Sequence, residues 1–526
     1  MPSTLNRQLA SNLASSFLRL HPDDNIVIAR RQAAAETEWS AGNGSPAVAS
    51  CEPINLGHKM AITRIVQGQP VRKFGQMIGF ATEDIEPGEW IHGHNLGVGE
   101  LGTRYEFATE IPTVRQPAEL LTFRGYRRPR GKVATRNYIG IISTVNCSAT
   151  ASKWIAQAFR DELLDDFPNV DGVVALVHGG GCAFGFDGPE HRQLARVLGG
   201  FARHPNIGAY LVVGLGCEAS QPSYLVDQYD LVQLDIAGRK EPLPLVMNIQ
   251  DEGGVRKTVS RGIAVLKEML PEVNRVQREA IPLSELILGT ECGGSDGNSG
   301  VTANPALGIA SDRLVAQGGT SILSEVPEIY GGEHLLTRRA VNETVGRKLI
   351  ERIEWWIGHT AKFDSVINNN PSVGNKQGGL TTIYEKSLGA IAKGGNSPLA
   401  AVYEYAEPVT EKGFVIMDTP GFDPASVTGM VAGGAQIICF TTGRGSCFGC
   451  KPAPTIKIAT NTPMFERMQD DMDINAGRIL DGASVEEVGE EIFEKIIAVA
   501  SGEKTKSEAQ GIGDEEFCPW VPGPVL

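Results

Sequence analysis

Between Thr290 and Pro305 the chain sets two carboxylates (Glu291, Asp296), a thiol (Cys292) and the polar side chains of Ser295, Asn298 and Asn304 among glycines. The apolar run Leu286–Leu288 precedes this stretch and Ala306–Ala310 follows it. That order predicts a strand, a glycine-rich turn and a helix opening near Pro305. In open α/β sheets ligands bind beyond the carboxyl ends of the strands, where the next helix offers free N–H groups to an anion. Later strands end in comparable polar turns. Ser321–Leu323 leads to Glu325 and Glu328; a glycine-rich loop carries Asn375 and Lys376; Ile437–Phe440 leads to Thr442 and Arg444. A guanidinium among glycines suits bidentate carboxylate binding. Three earlier runs, ending at Cys147, at His178 and Cys182, and at Cys217, also place a cysteine just past a strand. With Cys292 they make four strand-end thiols, a set compatible with a shared cleft, a thiolate metal site or an iron–sulfur cluster. Cys447 and Cys450 form a single C-x-x-C, half of a zinc site or a weak redox motif. His92 and His94, two apart in a predicted strand, would share a face, and with His58 they form a possible second metal site.

Carboxylates, a thiol, a lysine, an arginine and a histidine make a mixed-charge pocket suited to taking a proton from beside a carboxylate. The α-proton of an ionised acid is very weakly acidic. Its dianionic enolate must be stabilised by a divalent metal or fixed donors before a side-chain base can act, and Lys or His bases beside metal ions are an established arrangement.

These turns need a scaffold. The chain has 526 residues, which at roughly 100–200 residues per domain suggests about three domains. Hydrophobic content of 41% and a mean hydropathy of −0.11 describe a globular protein. The net charge of −14 disfavours nucleic acid and anionic membrane as partners. Nine cysteines in no paired framework favour a reducing cytoplasm. Residues 1–22 are read as an N-terminal extension, 23–102 as an all-β domain and 103–122 as a linker. Alternating strands and helices then define a middle α/β domain at 123–283 and a C-terminal α/β domain at 284–526. In the middle domain Trp154, Ile155, Ala158, Phe159 and Leu163 are expected on the apolar face of one helix. Gly97–Gly102 matches the dinucleotide G-x-G-x-x-G pattern, but no helix is expected after it, so NAD is not expected as a cofactor.

Gly57-His58-Lys59, Gly131–Asn137, the strand-end cysteines, Glu291–Gly297 with Thr302–Pro305, Asn370–Lys376, Thr442–Gly445 and Asp473–Gly477 together resemble the altronate/galactarate dehydratase family. The resemblance runs from about Asp24 to the last helix. It implies an N-terminal β-clip (SAF-type) domain, a linker, a middle domain used in dimerisation, and a C-terminal Rossmann-like parallel-sheet variant that holds a metal. It also implies iron-dependent elimination of water from a sugar acid to give a 2-keto-3-deoxy acid, by a homodimer. On residue chemistry, the metal ligands expected here are Asp296 and Glu325, with Cys292 and Glu328 as further candidates. Ferrous iron is the expected ion, and manganese is the alternative. Lys376 or His178 is the expected base. Arg444, Thr442, Asn375 and Ser295 are expected to hold the substrate.

The His92/His94 pair resembles altronate-type members and points to an aldonate. Ser446-Cys447-Phe448 stands where Thr-Pro-Tyr is expected in both types, beside Arg444, which leaves galactarate or another sugar acid open. Sulfolactate sulfo-lyase, also of this family, would use the same enolate chemistry. The rival readings are a dinucleotide-dependent oxidoreductase and a non-catalytic sugar-acid-binding protein.

Overall fold

The computed structural model describes residues 15–42, 46–100, 102, 104–129, 131–234 and 243–522. An antiparallel β domain comes first. Phe17–Leu18, Ile26–Ala29, Lys59–Ala61 and Trp90–Ile91 form one sheet, and Pro70–Lys73, Gln76–Ala81 and Leu96–Gly97 form another. Part of the expected extension is thus inside the fold: Phe17 and Leu18 are buried and pair with Ala29 and Ile28. The G-x-G-x-x-G match runs past Leu96–Gly97, and Leu101 within it lies outside the described residues.

The linker is strapped down on the C-terminal domain. Ala108 and Glu110 donate backbone N–H groups to the carbonyls of Thr337 and Arg338, and the Tyr105 hydroxyl donates to Glu333 at 2.8 Å. Thr122–Arg127 then pairs with both Val133–Ala134 and Glu279–Pro282, so one small sheet ties together the entry and exit of the middle domain.

The middle domain is a four-stranded parallel sheet in the spatial order Gly172–Leu176, Tyr138–Ser143, Ile207–Gly214, Val246–Asn248. The first strand in sequence is flanked by the second and the third, which makes its carboxyl end a topological switch point. The helix Ala149–Gln157 buries Ala151, Ser152 and Ile155. Ile155 and Phe159 of the expected apolar face are buried, but the helix stops before Ala158, its phase leaves Trp154 50% exposed, and Leu163 falls in a separate short 3-10 element, 42% exposed.

The C-terminal domain has seven parallel strands in the spatial order Leu399–Tyr403, Gly413–Met417, Thr320–Leu323, Ile287–Cys292, Ile437–Thr442, Thr455–Ala459, Ile474–Asn475. A parallel sheet is covered on both faces, so its strands read as unbroken apolar runs rather than alternating ones. The Ile287–Cys292 strand is central and is again the first in sequence, with its successor on one side and Ile437–Thr442 on the other. Its end is this sheet's switch point. Gly289 allows close cover: a Cβ there would lie 2.6 Å from Ile438 and 3.0 Å from the Met430 sulfur on the helix Asp423–Gly433. That helix stops at Gly434, whose φ of +117° suits glycine. Ala303–Ala316, packed against Val485–Ala500, also covers the sheet, and among the described residues no helix is long and apolar enough to cross a membrane.

Candidate active site and metal centre

Past the ends of the Ile287 and Thr320 strands the chain buries a cluster of acids. The Cys292 thiol lies 3.3 Å from Glu325 Oε2 and 3.6 Å from Glu328 Oε2, and the Cys292 N–H donates to the same Glu325 oxygen at 3.1 Å. These three ligand atoms lie within 4.8 Å of one another, and so do those of a second set, Glu291, Glu325 and Asp423. Glu325 joins the two sets. It is fully buried and holds a left-handed backbone (φ +64°, ψ +55°), a costly conformation for a non-glycine residue and one that clusters at functional sites. The Thr419 hydroxyl fixes it, at 2.7 Å from the Glu325 backbone nitrogen.

Two lysines, one on the helix Ile383–Ala390 and one on the short 3-10 helix Ile391–Gly394 that continues it, face these acids. Lys393 Nζ sits 2.8 Å from Glu325 Oε2, with both side chains at 0% exposure. Lys386 Nζ bonds Glu328 Oε1 at 2.6 Å and Asn370 Oδ1 at 2.9 Å. Glu291 Oε2 accepts from the hydroxyls of Ser324 (2.8 Å) and Ser426 (2.7 Å). Glu291 Oε1 and Glu325 Oε1 are buried with no hydrogen-bond partner.

The electrostatics follow from burial. Burial, then the Glu325 charge, push Glu291 and Cys292 well above their ordinary ranges and raise Glu328. Burial with Glu325 and Glu328 pushes Asp423 up to about 7. Burial alone would raise Glu325 too, but Lys393 and Lys386 outweigh it and hold that carboxyl low. Four carboxylates (Glu291, Glu325, Glu328, Asp423) against two ammonium groups would leave two uncompensated negative charges if all were ionised. A buried site does not tolerate that without protons or a cation. Cys292, Glu325 and Glu328, with ligand atoms mutually within 4.8 Å, form a donor set that could hold a metal ion.

Asp296, expected among the ligands, lies outside both sets. Its carboxylate accepts from Thr460 Oγ1 at 3.0 Å, Asn461 Nδ2 at 3.1 Å, Ser299 Oγ at 3.1 Å and the Asn298 backbone at 3.1 Å. It pins the turn to the end of the Thr455–Ala459 strand, the next but one in the sheet. Ser295, Asp296, Cys292 and Lys386 line one small cavity with Lys73 and Glu385. A larger apolar cleft of about 620 Å³ shares only Phe74 and Gly300 with that cavity and belongs to the domain junction rather than to the acids.

The remaining expected residues fall into two places. Asn375 closes a capping box with Ser372 and donates to the Ser295 carbonyl at 2.9 Å, which docks the helix Val373–Gln377, with half-buried Lys376, on the turn. Arg444 is exposed, and its backbone N–H donates to Gly294 at 2.7 Å; buried Thr442 accepts from the Gly445 N–H. His178 is in the middle domain instead, bonded to the Ser143 carbonyl and the Gly180 N–H.

The β domain reaches this site. His58 and His92 hold the carbonyls of Gln377 (3.2 Å) and Lys376 (2.8 Å) through their Nε2 atoms. His58 Nδ1 accepts from Trp90 at 3.1 Å, so neither of its nitrogens is free for a metal. His92 and His94 lie past the strand Trp90–Ile91 in a turn closed by Asn95, not on one strand face, and His94 is exposed. Lys59 and Lys73 cross the domain boundary to buried Glu385 at 2.9 and 2.8 Å. Burial lowers Lys59 to about 8.

Sequence reasoning named Glu291 in the turn but gave it no role, and it missed Asp423, Lys386, Lys393, Lys73 and Glu385, with Lys59 noted only within the Gly57-His58-Lys59 motif. The available signal was charge embedded in otherwise apolar helix and strand: Lys386 and Lys393 are seven residues, two helical turns, apart.

Family models match nearly the whole chain. Residues 15–98 match the altronate/galactarate dehydratase SAF domain, 125–274 the D-galactarate dehydratase/altronate hydrolase second domain, and 283–525 the D-galactarate/altronate dehydratase C-terminal domain. The altronate dehydratase of Bacillus subtilis (strain 168) is 37% identical over 94% of this chain and 96% of its own. The galactarate dehydratase (L-threo-forming) of Escherichia coli (strain K12) is 38% identical over 97% of each. The (2R)-sulfolactate sulfo-lyase subunit beta of Chromohalobacter salexigens is 31% identical over 75% of this chain and 96% of its own. With a buried site of acids and lysines on parallel-sheet domains behind a SAF domain, these matches define a hydro-lyase. The chain belongs to the altronate/galactarate dehydratase family of sugar-acid dehydratases.

Proposed function

We propose that this protein eliminates water from an aldonate of the altronate type, giving a 2-keto-3-deoxy sugar acid, with ferrous iron bound by Glu325, Glu328 and Cys292. The observation that carries the reading is the buried cluster at the switch point of the seven-stranded sheet, where Cys292, Glu325 and Glu328 bring their ligand atoms within 4.8 Å of one another. When bound, the ion supplies Lewis-acid stabilisation of the negative charge that develops on the substrate carboxylate. The other roles belong to the chain. Arg444 and the hydroxyl of Ser295 grip the substrate carboxylate and hydroxyls, and Thr442 and Asn375 hold the turns that carry them. Lys376, on the helix held by His58 and His92, takes the α-proton. Asp423, raised to about 7, is suited to give a proton to the leaving hydroxide near neutral pH. Lys393 and Lys386 keep Glu325 ionised.

Of the family's named activities, altronate dehydration is favoured by the His92/His94 pair. Galactarate is the second reading, because the galactarate relative is as similar as the altronate ones. The test is turnover of the full chain, reconstituted anaerobically with ferrous iron, against aldonates, aldarates and sulfolactate, with 2-keto acid as the readout. Keto acid from altronate supports the proposal, keto acid from galactarate alone moves the substrate, and none from any acid refutes it.

A further inference from the structure

The middle domain has its own switch point, and three cysteines stand at it. Cys147, Cys182 and Cys217 follow the Tyr138, Gly172 and Ile207 strands, which are neighbours in the sheet with the Tyr138 strand between the other two. All three thiols are free and exposed, whereas Cys292, the fourth strand-end cysteine, is buried in the other sheet.

The three turns are bonded to one another beside each cysteine. Asn146 donates its N–H to the Gly180 carbonyl at 3.0 Å, and the Ser148 hydroxyl donates to the Val213 carbonyl at 2.7 Å, so both neighbours of Cys147 reach the other two turns. Gly181, preceding Cys182, packs so closely that a Cβ there would lie 2.2 Å from the Thr144 carbonyl, and its own carbonyl accepts from Ser220 N–H at 3.1 Å. Glu218, following Cys217, accepts from the Thr144 hydroxyl at 2.8 Å and from the N–H groups of Leu215 and Gly216. The Cys217 sulfur accepts from Gln250 Nε2 at 3.4 Å, which stabilises a thiolate. At Gly179 a Cβ would meet nothing within 4 Å, so open space adjoins the turns.

We propose that these three thiolates hold a [4Fe–4S] cluster, with the fourth iron left without a protein thiolate and open to an oxygen ligand from solution. Three cysteines among these turns supply one thiolate fewer than the four that ordinarily hold a [4Fe–4S] cluster, and retained sulfide distinguishes such a cluster from a single thiolate-bound ion. The carboxyl-end crevice at a switch point is where open α/β sheets bind their ligands. This site is separate from the acid cluster and does not depend on the sugar-acid reading.

The test uses the full chain, incubated anaerobically with ferrous iron and sulfide, desalted, and assayed for bound iron, acid-labile sulfide, visible absorption bleached by dithionite, and electron paramagnetic resonance. Expected is sulfide retained together with a bleachable visible band, both lost in Cys147→Ser/Cys182→Ser/Cys217→Ser and kept in Cys447→Ser and in Glu325→Gln. Because the three side chains are exposed, each single serine variant should fold and lose at least half of the band; circular dichroism checks this. A wild-type chain that keeps no sulfide, or iron alone, overturns the proposal, as does a triple variant that binds as much sulfide as wild type. Neither result bears on keto acid formation, which tests the other site.

Discussion

Lys393→Met in the ion-free protein isolates the charge balance of the acid cluster. Lys393 and Glu325 are both at 0% exposure and 2.8 Å apart. Removing one partner of such a pair costs about 3–5 kcal/mol, because the other charge is left buried. Glu325 keeps the Cys292 N–H as a donor and can take up a proton, which places the loss toward the lower end. Methionine fills most of the lysine's volume, so little of the change comes from a cavity. At about 2–4 °C per kcal/mol for a domain of this size, the melting transition should fall by about 6–20 °C. The assay is thermal melting in chelator, repeated for Lys393→Met/Glu325→Gln. The double variant should recover at least half of the loss, since deleting both charges restores the cluster's wild-type net charge. A single variant within about 1 kcal/mol of wild type, or a double variant whose losses simply add, would refute the buried pair and the charge argument built on it.

Other outcomes follow from neighbouring residues. Asp296→Ala should lower stability as well as activity, by about 1–3 kcal/mol for each buried donor left unsatisfied, read as a drop in denaturation midpoint; unchanged stability would show that its bonds to Thr460 and Asn461 are not formed. Arg444→Lys should raise KM by roughly ten- to a hundredfold with little change in kcat, for the loss of about 1.5–3 kcal/mol of charged hydrogen bonding to the substrate; a fall in kcat alone would remove Arg444 from substrate binding. Burial lowers His204 to about 3, below its ordinary value of 6.5. The unfolded chain therefore binds this proton first, so stability is fully present above pH 6.5 and is lost as pH falls from there toward 3. His204→Asn, which keeps an acceptor for the Asn206 N–H, should flatten that decline by about 1.4 kcal/mol per pH unit in unfolding titrations between pH 6 and 4.5; an unchanged slope contradicts a neutral buried imidazole.

The strand–turn–helix at 290–305 and the acids at 325 and 328 were legible because continuous apolar runs ending in polar turns mark parallel strands, whatever their partners. Glu291 stood in the same motif unrecognised, since its role depends on Ser426, which is 135 residues away. Lys386 and Lys393 carried no signal of their partners, because the carboxylates they meet, Glu328 and Glu325, lie 58 and 68 residues away. The histidine pair failed for a local reason: the Asn95 side chain bonds the His92 N–H and the Trp90 carbonyl, turning the chain where period-two alternation assumed a continuing strand. A buried carboxylate in a glycine turn looks alike in sequence whether it meets a metal or protein donors; Asp296 accepts from Asn298, Ser299, Thr460 and Asn461. His178 lies at the end of a middle-domain strand, and a strand-end turn in sequence does not reveal which of two parallel sheets it crowns.

The central claim is a divalent ion among Glu325, Glu328 and Cys292. The most direct measurement is anomalous scattering at the iron edge from crystals grown anaerobically with ferrous iron. A peak in contact with the carboxylates of Glu325 and Glu328 is predicted, absent in Glu325→Gln crystals. An iron-loaded, catalytically active crystal with no anomalous density at Glu325, or with its C-terminal-domain peak at Asp296 instead, would contradict it.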